Sequence, residues 1–159
     1  IKISMNLSRM DLMNQNIMNL ILENERNQHI NYEVTESAYS SLSVNANDFL
    51  STLHQRGNMI LMDDFGSGVS SLSTIRDFEF DIIKIDMGFV RNIGYSQSND
   101  SILASLIEMI HRLEMKVVAE GVETKEQLDF LKEHGCDFIQ GFYFSKPLIK
   151  NDFKKLISN

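Results

Sequence analysis

The sequence predicts an α/β fold: an incomplete (β/α)8 barrel in which helices cover a parallel sheet. Three observations point there. Short apolar runs alternate strictly with amphipathic stretches along the 159 residues, the pattern of parallel strands joined by helices. About six strand–helix units can be counted, whereas a closed barrel needs eight. Polar residues, most of them acidic, fall at the C-terminal end of successive strands. A barrel mouth draws on every strand in this way, while an open doubly wound sheet feeds its ligand site from a few strands at one switch point.

The elements follow in order. Ile1–Leu7 alternates like a strand, with no initiator methionine before it, and is expected to come from the middle of a domain. A helix is expected from Arg9 to Asn27, with Leu12, Ile17, Leu20 and Ile21 among its apolar positions. Ile30–Val34 reads as the second strand, and Asn47–Arg56 as a helix closed by Gly57. Met59–Met62 is a compact apolar strand running into Asp63-Asp64-Phe65-Gly66. A short helix is expected over Ser70–Asp77, then a buried strand over Asp81–Ile85. Tyr95–Asn99 reads as a loose loop before the helix Ser98–Leu113, whose Ile102, Leu106, Met109, Ile110 and Leu113 share a stripe. Val117–Ala119, the helix Lys125–His134 closed by Gly135, the strand Phe138–Phe144 and the helix Asp152–Ser158 complete the series. No linker or low-complexity tract divides the chain, so residues 1–159 are expected to be part of one domain.

Composition narrows the function. A formal net charge of -7 argues against binding DNA or RNA, which wants a basic surface. An anionic ligand stays feasible if bound cations reverse the charge locally. One cysteine, Cys136, cannot form an internal disulfide and reads as a small buried residue. With no secretory signal and no apolar run of bilayer length, a cytoplasmic setting is expected, for a parent chain that could still be membrane-anchored.

The chemistry lies at the strand ends. Asn6, Glu33, the pair Asp63 and Asp64, Lys84 with Asp86, and Glu120 come from the first to the fifth strands, and Gln140 lies within the sixth. Glu33, Asp63, Asp64 and Glu120 would repel one another in a shared pocket unless cations sat between them. All are hard oxygen ligands, suited to Mg2+, Mn2+ or Ca2+ rather than zinc. If Asp63 and Asp64 both leave the strand at a turn, each can reach a different ion, or one can bridge two. A pair of ions roughly 3.5–4 Å apart is the usual device for in-line attack of water on a phosphodiester. Lys84 could then stabilise developing charge or orient the water. Taken singly, each residue has a plain alternative: aspartates are common in turns, and Gln140 could satisfy backbone groups. The four histidines, His29, His54, His111 and His134, show no ligand spacing and are expected at the solvated surface. The joint placement of the acids carries the reading.

Six strings in order resemble the signatures of the EAL family of cyclic di-GMP phosphodiesterases, from about Met5 to Leu148. They are Asn6-Leu7-Ser8, Tyr32–Ser37, Asp63–Leu72, Ile83-Lys84-Ile85-Asp86, Ala119–Thr124 and Gly135–Leu148. The resemblance implies a TIM-like barrel with one antiparallel strand, of which these are the third to eighth units. The first two, with the Glu-Ala-Leu segment and its metal-binding glutamate, would lie upstream. It implies hydrolysis of one phosphodiester bond of cyclic di-GMP to the linear dinucleotide, with two Mg2+ or Mn2+ ions and Ca2+ as an inhibitor.

Residue by residue, it assigns metal ligation to Asn6, Glu33, Asp63, Asp64 and Glu120. Lys84 matches the lysine that holds the nucleophilic water, and Gln140 a polar residue lining the site. Glu36 matches the anchor of the loop after the Asp pair, through which occupancy is coupled to dimerisation. Asp86 and Glu123 match further polar positions nearby. A homodimer is implied, with a sensory or diguanylate cyclase domain elsewhere in the parent. Val69 stands where the family usually has tyrosine, and Ser67 where it has threonine or alanine. The visible ligands are intact, which favours an active enzyme over the alternative, a silent receptor for the dinucleotide or a regulatory interaction domain.

Overall fold

The computed structural model describes residues 2–24, 29–39, 42–67, 75, 78 and 80–157. Six strands form one sheet: β1 (Ile3–Leu7), β2 (Ile30–Thr35), β3 (Ile60–Phe65), β4 (Ile82–Ile85), β5 (Lys116–Ala119) and β6 (Phe138–Ile139). Their spatial order is their chain order, and every neighbouring pair is parallel. This decides between the two parallel architectures. A doubly wound sheet reverses direction at a switch point, whereas a barrel adds each strand beside the last. The described sheet is an arc of a barrel with β1 and β6 at its edges.

Eight helices are described: α1 (Arg9–Leu12), α2 (Gln15–Glu23), α3 (Glu36–Tyr39), α4 (Val44–Gln55), α5 (Met87–Arg91), α6 (Gln97–Arg112), α7 (Lys125–Glu133) and α8 (Lys150–Ile157). Side chains are buried on both faces of the strands, as in any parallel sheet covered on both sides. The larger core includes Ile60 and Met62 of β3, Ile83 and Ile85 of β4, and Val117 and Ala119 of β5, together with Leu50, Leu53, Leu103, Ile107 and Leu131 from the helices. A separate small cluster of Leu61, Ile82 and Val118, with Met59 against it, occupies the opposite face. Strand side chains alternate with period two, so this second cluster is the inner layer of the barrel wall. Each fully buried aliphatic residue contributes roughly 1.5–3 kcal/mol.

Several elements differ from the sequence expectation, each for a local reason. Of the stretch expected as one helix from Arg9 to Asn27, the described part is two helices, and residues 25–27 lie outside the described residues. Ser8 caps α1 in a capping box with Asp11, and Asn14 then caps α2 by accepting from the Asn16 and Ile17 amides at 3.0 and 3.4 Å. A second capping side chain inside one apolar period restarts the helix. Helix α4 begins at Val44, because Ser43 accepts from the Ala46 amide. The strand expected over Phe138–Phe144 pairs only at Phe138–Ile139. Beyond it the Val122 amide donates to the Gln140 carbonyl and the Tyr143 amide to the Val122 carbonyl, turning the chain away. Helices α3 and α5 are too short to show a period in sequence. Helix α6 starts at Gln97 under a Ser96 cap, inside the expected loop. The helix expected over Ser70–Asp77 lies, apart from Ile75, outside the described residues. No helix among the described residues is long and apolar enough to cross a membrane.

Candidate active site

The inner face of the barrel arc changes character two residues beyond its apolar layer. Leu61, Ile82 and Val118 lie on that face, and the next residues on it, by the same alternation, are Asp63, Lys84 and Glu120. A short apolar floor thus carries a charged layer toward the C-terminal mouth. Glu33 joins it from β2, and Asn6 stands beside Glu33 in the β1–β2 register.

Lys84 is the hub. Its Nζ lies 2.7 Å from Glu33 Oε2, 2.7 Å from Asp63 Oδ1 and 2.8 Å from Glu120 Oε1, and its side chain is only 6% exposed. An ammonium has three N–H donors, and three carboxylates meet them. Burial works against the charge, but the hydrogen bonds that Lys84 donates to Asp63, Glu120 and Glu33 outweigh it and raise the Lys84 pKa well above its ordinary value.

The Asp63–Asp64 pair departs from strand geometry. Between Met62 and Phe65 the β3–β4 register slips, so that β3 advances one residue more than β4. That is a β-bulge, a device common beside active sites that re-aims side chains. Asp64 takes it up with φ 57°, in the left-handed region that non-glycine residues seldom occupy. In an unbulged strand the two aspartates would point to opposite faces. Here carboxylate oxygens of Asp63, Asp64 and Glu120 lie within 4.8 Å of one another. Burial and the negative charges of Asp63 and Asp86 raise the Asp64 pKa, against the pull of Lys84. Burial likewise raises that of Glu120, with Lys84 lowering it and Asp63 and Asp64 adding to the rise. Hard oxygen donors, crowded and only partly neutralised by one ammonium, fit a divalent cation of the Mg2+, Mn2+ or Ca2+ type.

Short helix α5, missed in sequence, holds the two acidic loops in place. Asp86 is its N-cap, accepting from the Gly88 amide at 2.8 Å, a helix-initiating contact beside the acids. A Cβ on Gly66 would collide with the Phe89 ring, and one on Gly121 would come within 2.7 Å of Met87 Cβ. Both glycines have positive φ, 92° and 70°, so neither position suits another residue. Phe89 and Met87 thus abut the loops that follow Asp64 and Glu120.

The remaining candidates are more dispersed. Glu36 is buried at the start of α3, and residues 68–74 of the loop it is expected to anchor lie outside the described residues, Val69 among them. Gln140 follows β6 instead of lying within it, and is exposed. With Glu120, Glu123, Met87, Arg91 and Phe142 it lines a cavity of about 500 Å3 beside the acids. Burial pushes the Cys136 thiol up to about 11, an inert group.

Three histidines expected at the solvated surface have partners instead: His134 lies 2.8 Å from the Phe130 carbonyl within its own helix end and stacks on the Phe130 ring, and the other two pair with aspartates. His54 pairs with Asp81 at 3.2 Å, and Asp81 also accepts from the Ile60 amide at 2.7 Å. His111 pairs with Asp137 at 2.8 Å, and Asp137 accepts from the Val117 amide at 2.9 Å. The arrangement repeats two strand–helix units apart at the opposite ends of the strands from the acids. Its signal was present in the spacing: His54 precedes Ile60, and His111 precedes Val117, by six residues.

A parallel barrel wall whose mouth gathers carboxylates around a buried lysine defines an α/β-barrel protein with a candidate cation site. The comparisons make this specific. The family model for the EAL domain matches residues 1–147, and the chain belongs to that family. It is 39% identical over 140 residues to the probable cyclic di-GMP phosphodiesterase PdeG of Escherichia coli, covering 88% of this chain and 26% of that protein. It is 42% identical over 116 residues to the cyclic di-GMP phosphodiesterase NbdA of Pseudomonas aeruginosa, covering 73% of this chain and 15% of that protein. The chain thus spans 26% and 15% of the length of these two relatives. Among solved structures, the EAL enzyme Bd1971 in its cAMP-bound form superposes with TM-score 0.88 at 31% identity, over 99% of this chain and 43% of that one. BlrP1 of Klebsiella pneumoniae, in a manganese and cyclic di-GMP complex, gives TM-score 0.80 at 34% identity, over 92% of this chain and 39% of that one.

Proposed function

We propose that residues 1–159 are part of a phosphodiesterase domain that hydrolyses one phosphodiester bond of cyclic di-GMP to the linear dinucleotide. The observation that carries this is the β3 bulge, which turns consecutive aspartates toward Glu120 beside a buried ammonium. The names of the relatives, cyclic di-GMP phosphodiesterases among them, supply the substrate class.

Asn6, Glu33, Asp63, Asp64 and Glu120 would hold Mg2+ or Mn2+, two ions in the active state, with Ca2+ as an unproductive substitute. Such ions, when bound, supply charge stabilisation at the phosphate and a more acidic water. Lys84 would hold the water that attacks phosphorus through an N–H released from one of its three carboxylates, while one P–O ester bond breaks and the departing oxygen takes up a proton. The cavity lined by Phe142, Gln140 and Arg91 offers an apolar wall with polar groups and a cation at its edge, features that suit a purine and a phosphate. Glu123 and Gln140 orient the substrate there, and Asp86 keeps α5 against the acidic loops. Glu36 anchors the loop beyond the Asp pair, coupling occupancy to a homodimer in a parent that carries a sensory or diguanylate cyclase domain.

The test is hydrolysis of cyclic di-GMP by the full-length protein with Mg2+ or Mn2+, followed by separation of the linear product. Asp63→Asn, which keeps volume and removes charge, is expected to lower turnover about 100-fold or more with an unchanged circular dichroism spectrum. Tight binding without turnover at any metal concentration would instead establish the silent receptor.

A further inference from the structure

The loop that follows Glu120 is held in stages. The Glu120 amide still belongs to the sheet and donates to the Ile85 carbonyl at 3.2 Å. Val122 is fastened to the loop after β6: its amide donates to the Gln140 carbonyl, its own carbonyl accepts from the Tyr143 amide, and a Cβ on Gly141 would collide with the Val122 backbone. The amides of Glu123 and Thr124 come next. Both donate to one atom, Gln127 Oε1, at 2.8 and 3.0 Å. Gln127 is buried in the first turn of α7, whereas Glu123 is exposed and lines the cavity beside the acids. A capping box returns one side-chain bond to the N-cap amide. The box at α1 stops there, with Asp11 accepting from the amide and hydroxyl of its N-cap, Ser8. At α7 Thr124 accepts from the Gln127 amide at 3.3 Å, but Gln127 returns two bonds, and the second reaches past the helix to Glu123. That extra bond lies outside the helix and fixes the peptide that carries Glu123.

We propose that Gln127 is a positioning residue for the substrate: by holding the Glu123 peptide it sets where the Glu123 carboxylate stands at the cavity, without itself meeting substrate or cation. The inference rests on the phosphodiesterase reading above, in which Glu123 orients the substrate. Without the Gln127 carbonyl, the Glu123 and Thr124 amides turn to water, as unpaired amides at a helix start do. The loop then samples several arrangements, and only a fraction of the molecules present Glu123 correctly. Apparent affinity falls by that fraction. Glu120 is held by β5 and not by Gln127, so cation binding and the bond-breaking step lie outside its reach. Gln127 therefore bears on KM for cyclic di-GMP and not on kcat.

The two halves of the capping box separate this role from helix stabilisation. Gln127→Met keeps the stem and removes the carbonyl. Thr124→Val removes the hydroxyl that caps α7 and leaves Gln127 in place. Both are expected to lower the melting temperature of the full-length protein. KM for cyclic di-GMP is expected to rise about tenfold in Gln127→Met and to stay unchanged in Thr124→Val. In Gln127→Met, kcat and the Mn2+ concentration for half-maximal activity should stay within about twofold of wild type. Gln127→Glu, whose carboxylate can accept from the same amides, should keep KM near the wild-type value. An unmoved KM in Gln127→Met, an equal rise in Thr124→Val or Gln127→Glu, or a loss carried by kcat or by Mn2+ demand overturns the inference and leaves the phosphodiesterase reading standing. A wild type that neither hydrolyses nor binds cyclic di-GMP overturns both. In a wild type that binds without turnover, the same order of dissociation constants decides. Should Gln127→Met fail to fold, Gln127→Asn, whose carbonyl falls one methylene short of the amides, carries the same expectation.

Discussion

At the scale of single residues, Asp64 holds a backbone conformation that a residue with a side chain disfavours. Its φ of 57° is adopted by a residue with a Cβ, and its carboxyl faces the repulsion of Asp63 and Asp86. Left-handed backbone at a non-glycine residue costs energy, and such costs collect at functional sites. Asp64→Gly removes both penalties. It is expected to raise the unfolding free energy by up to about 1 kcal/mol in urea melts, while abolishing hydrolysis of cyclic di-GMP. A loss of stability instead would show that the Asp64 side chain holds the bulge. The acids themselves were legible in sequence, because strand alternation and strand ends are readable from apolar runs. The bulge was not, since no residue in Asp63-Asp64-Phe65 announces a register slip; the adjacent acids suggested a turn after the strand, and the structure keeps both inside β3.

At the scale of elements, the two His–Asp–amide contacts explain how strands and helices stay in register beneath the site. Asp137 joins three elements, since it takes hydrogen bonds from His111 of α6 and from the Val117 amide of β5 and immediately precedes β6. Burial works to raise its pKa, but the bonds from His111 and Val117 outweigh it and hold the carboxyl below its usual value. A carboxylate with a depressed folded-state pKa contributes stability above its unfolded pKa, near 3.9. That contribution is lost as pH falls through the lower, folded value. Asp137→Ala should therefore cost about 1–3 kcal/mol at pH 7, and the difference from wild type should narrow as urea melts are taken below about pH 4. A difference constant from pH 7 to pH 3 would assign the loss to packing alone. These contacts escaped the sequence reading because a lone histidine has no period and its partner aspartate lies more than twenty residues away. Long amphipathic helices such as α6 were legible for the opposite reason: many residues repeat the same signal. The short α5, which abuts both acidic loops, offers too few residues for any period to appear.

At the scale of the whole molecule, the barrel could be inferred because the placement of polar groups carries information that periodicity lacks. Apolar runs alone fit a doubly wound sheet equally well. The spread of polar groups, most of them acidic, over successive strands separated the two, and the sequential strand order bears this out. The same order leaves the backbone of β1 and β6 as sheet edges, with Ile3 59% and Phe138 45% exposed there. Unpaired parallel edges with apolar side chains are templates for pairing with another chain. These 159 residues expressed by themselves are therefore expected to self-associate and to melt broadly, whereas a longer EAL domain that supplies strands to both edges should melt sharply. Sedimentation velocity across a concentration series distinguishes the outcomes. Ile3→Lys, which puts a charge on the β1 edge, should reduce the association without touching the acidic mouth. A monomeric wild-type chain with a sharp, cooperative melt would show that the six-strand arc is self-sufficient, and that neither edge needs a partner.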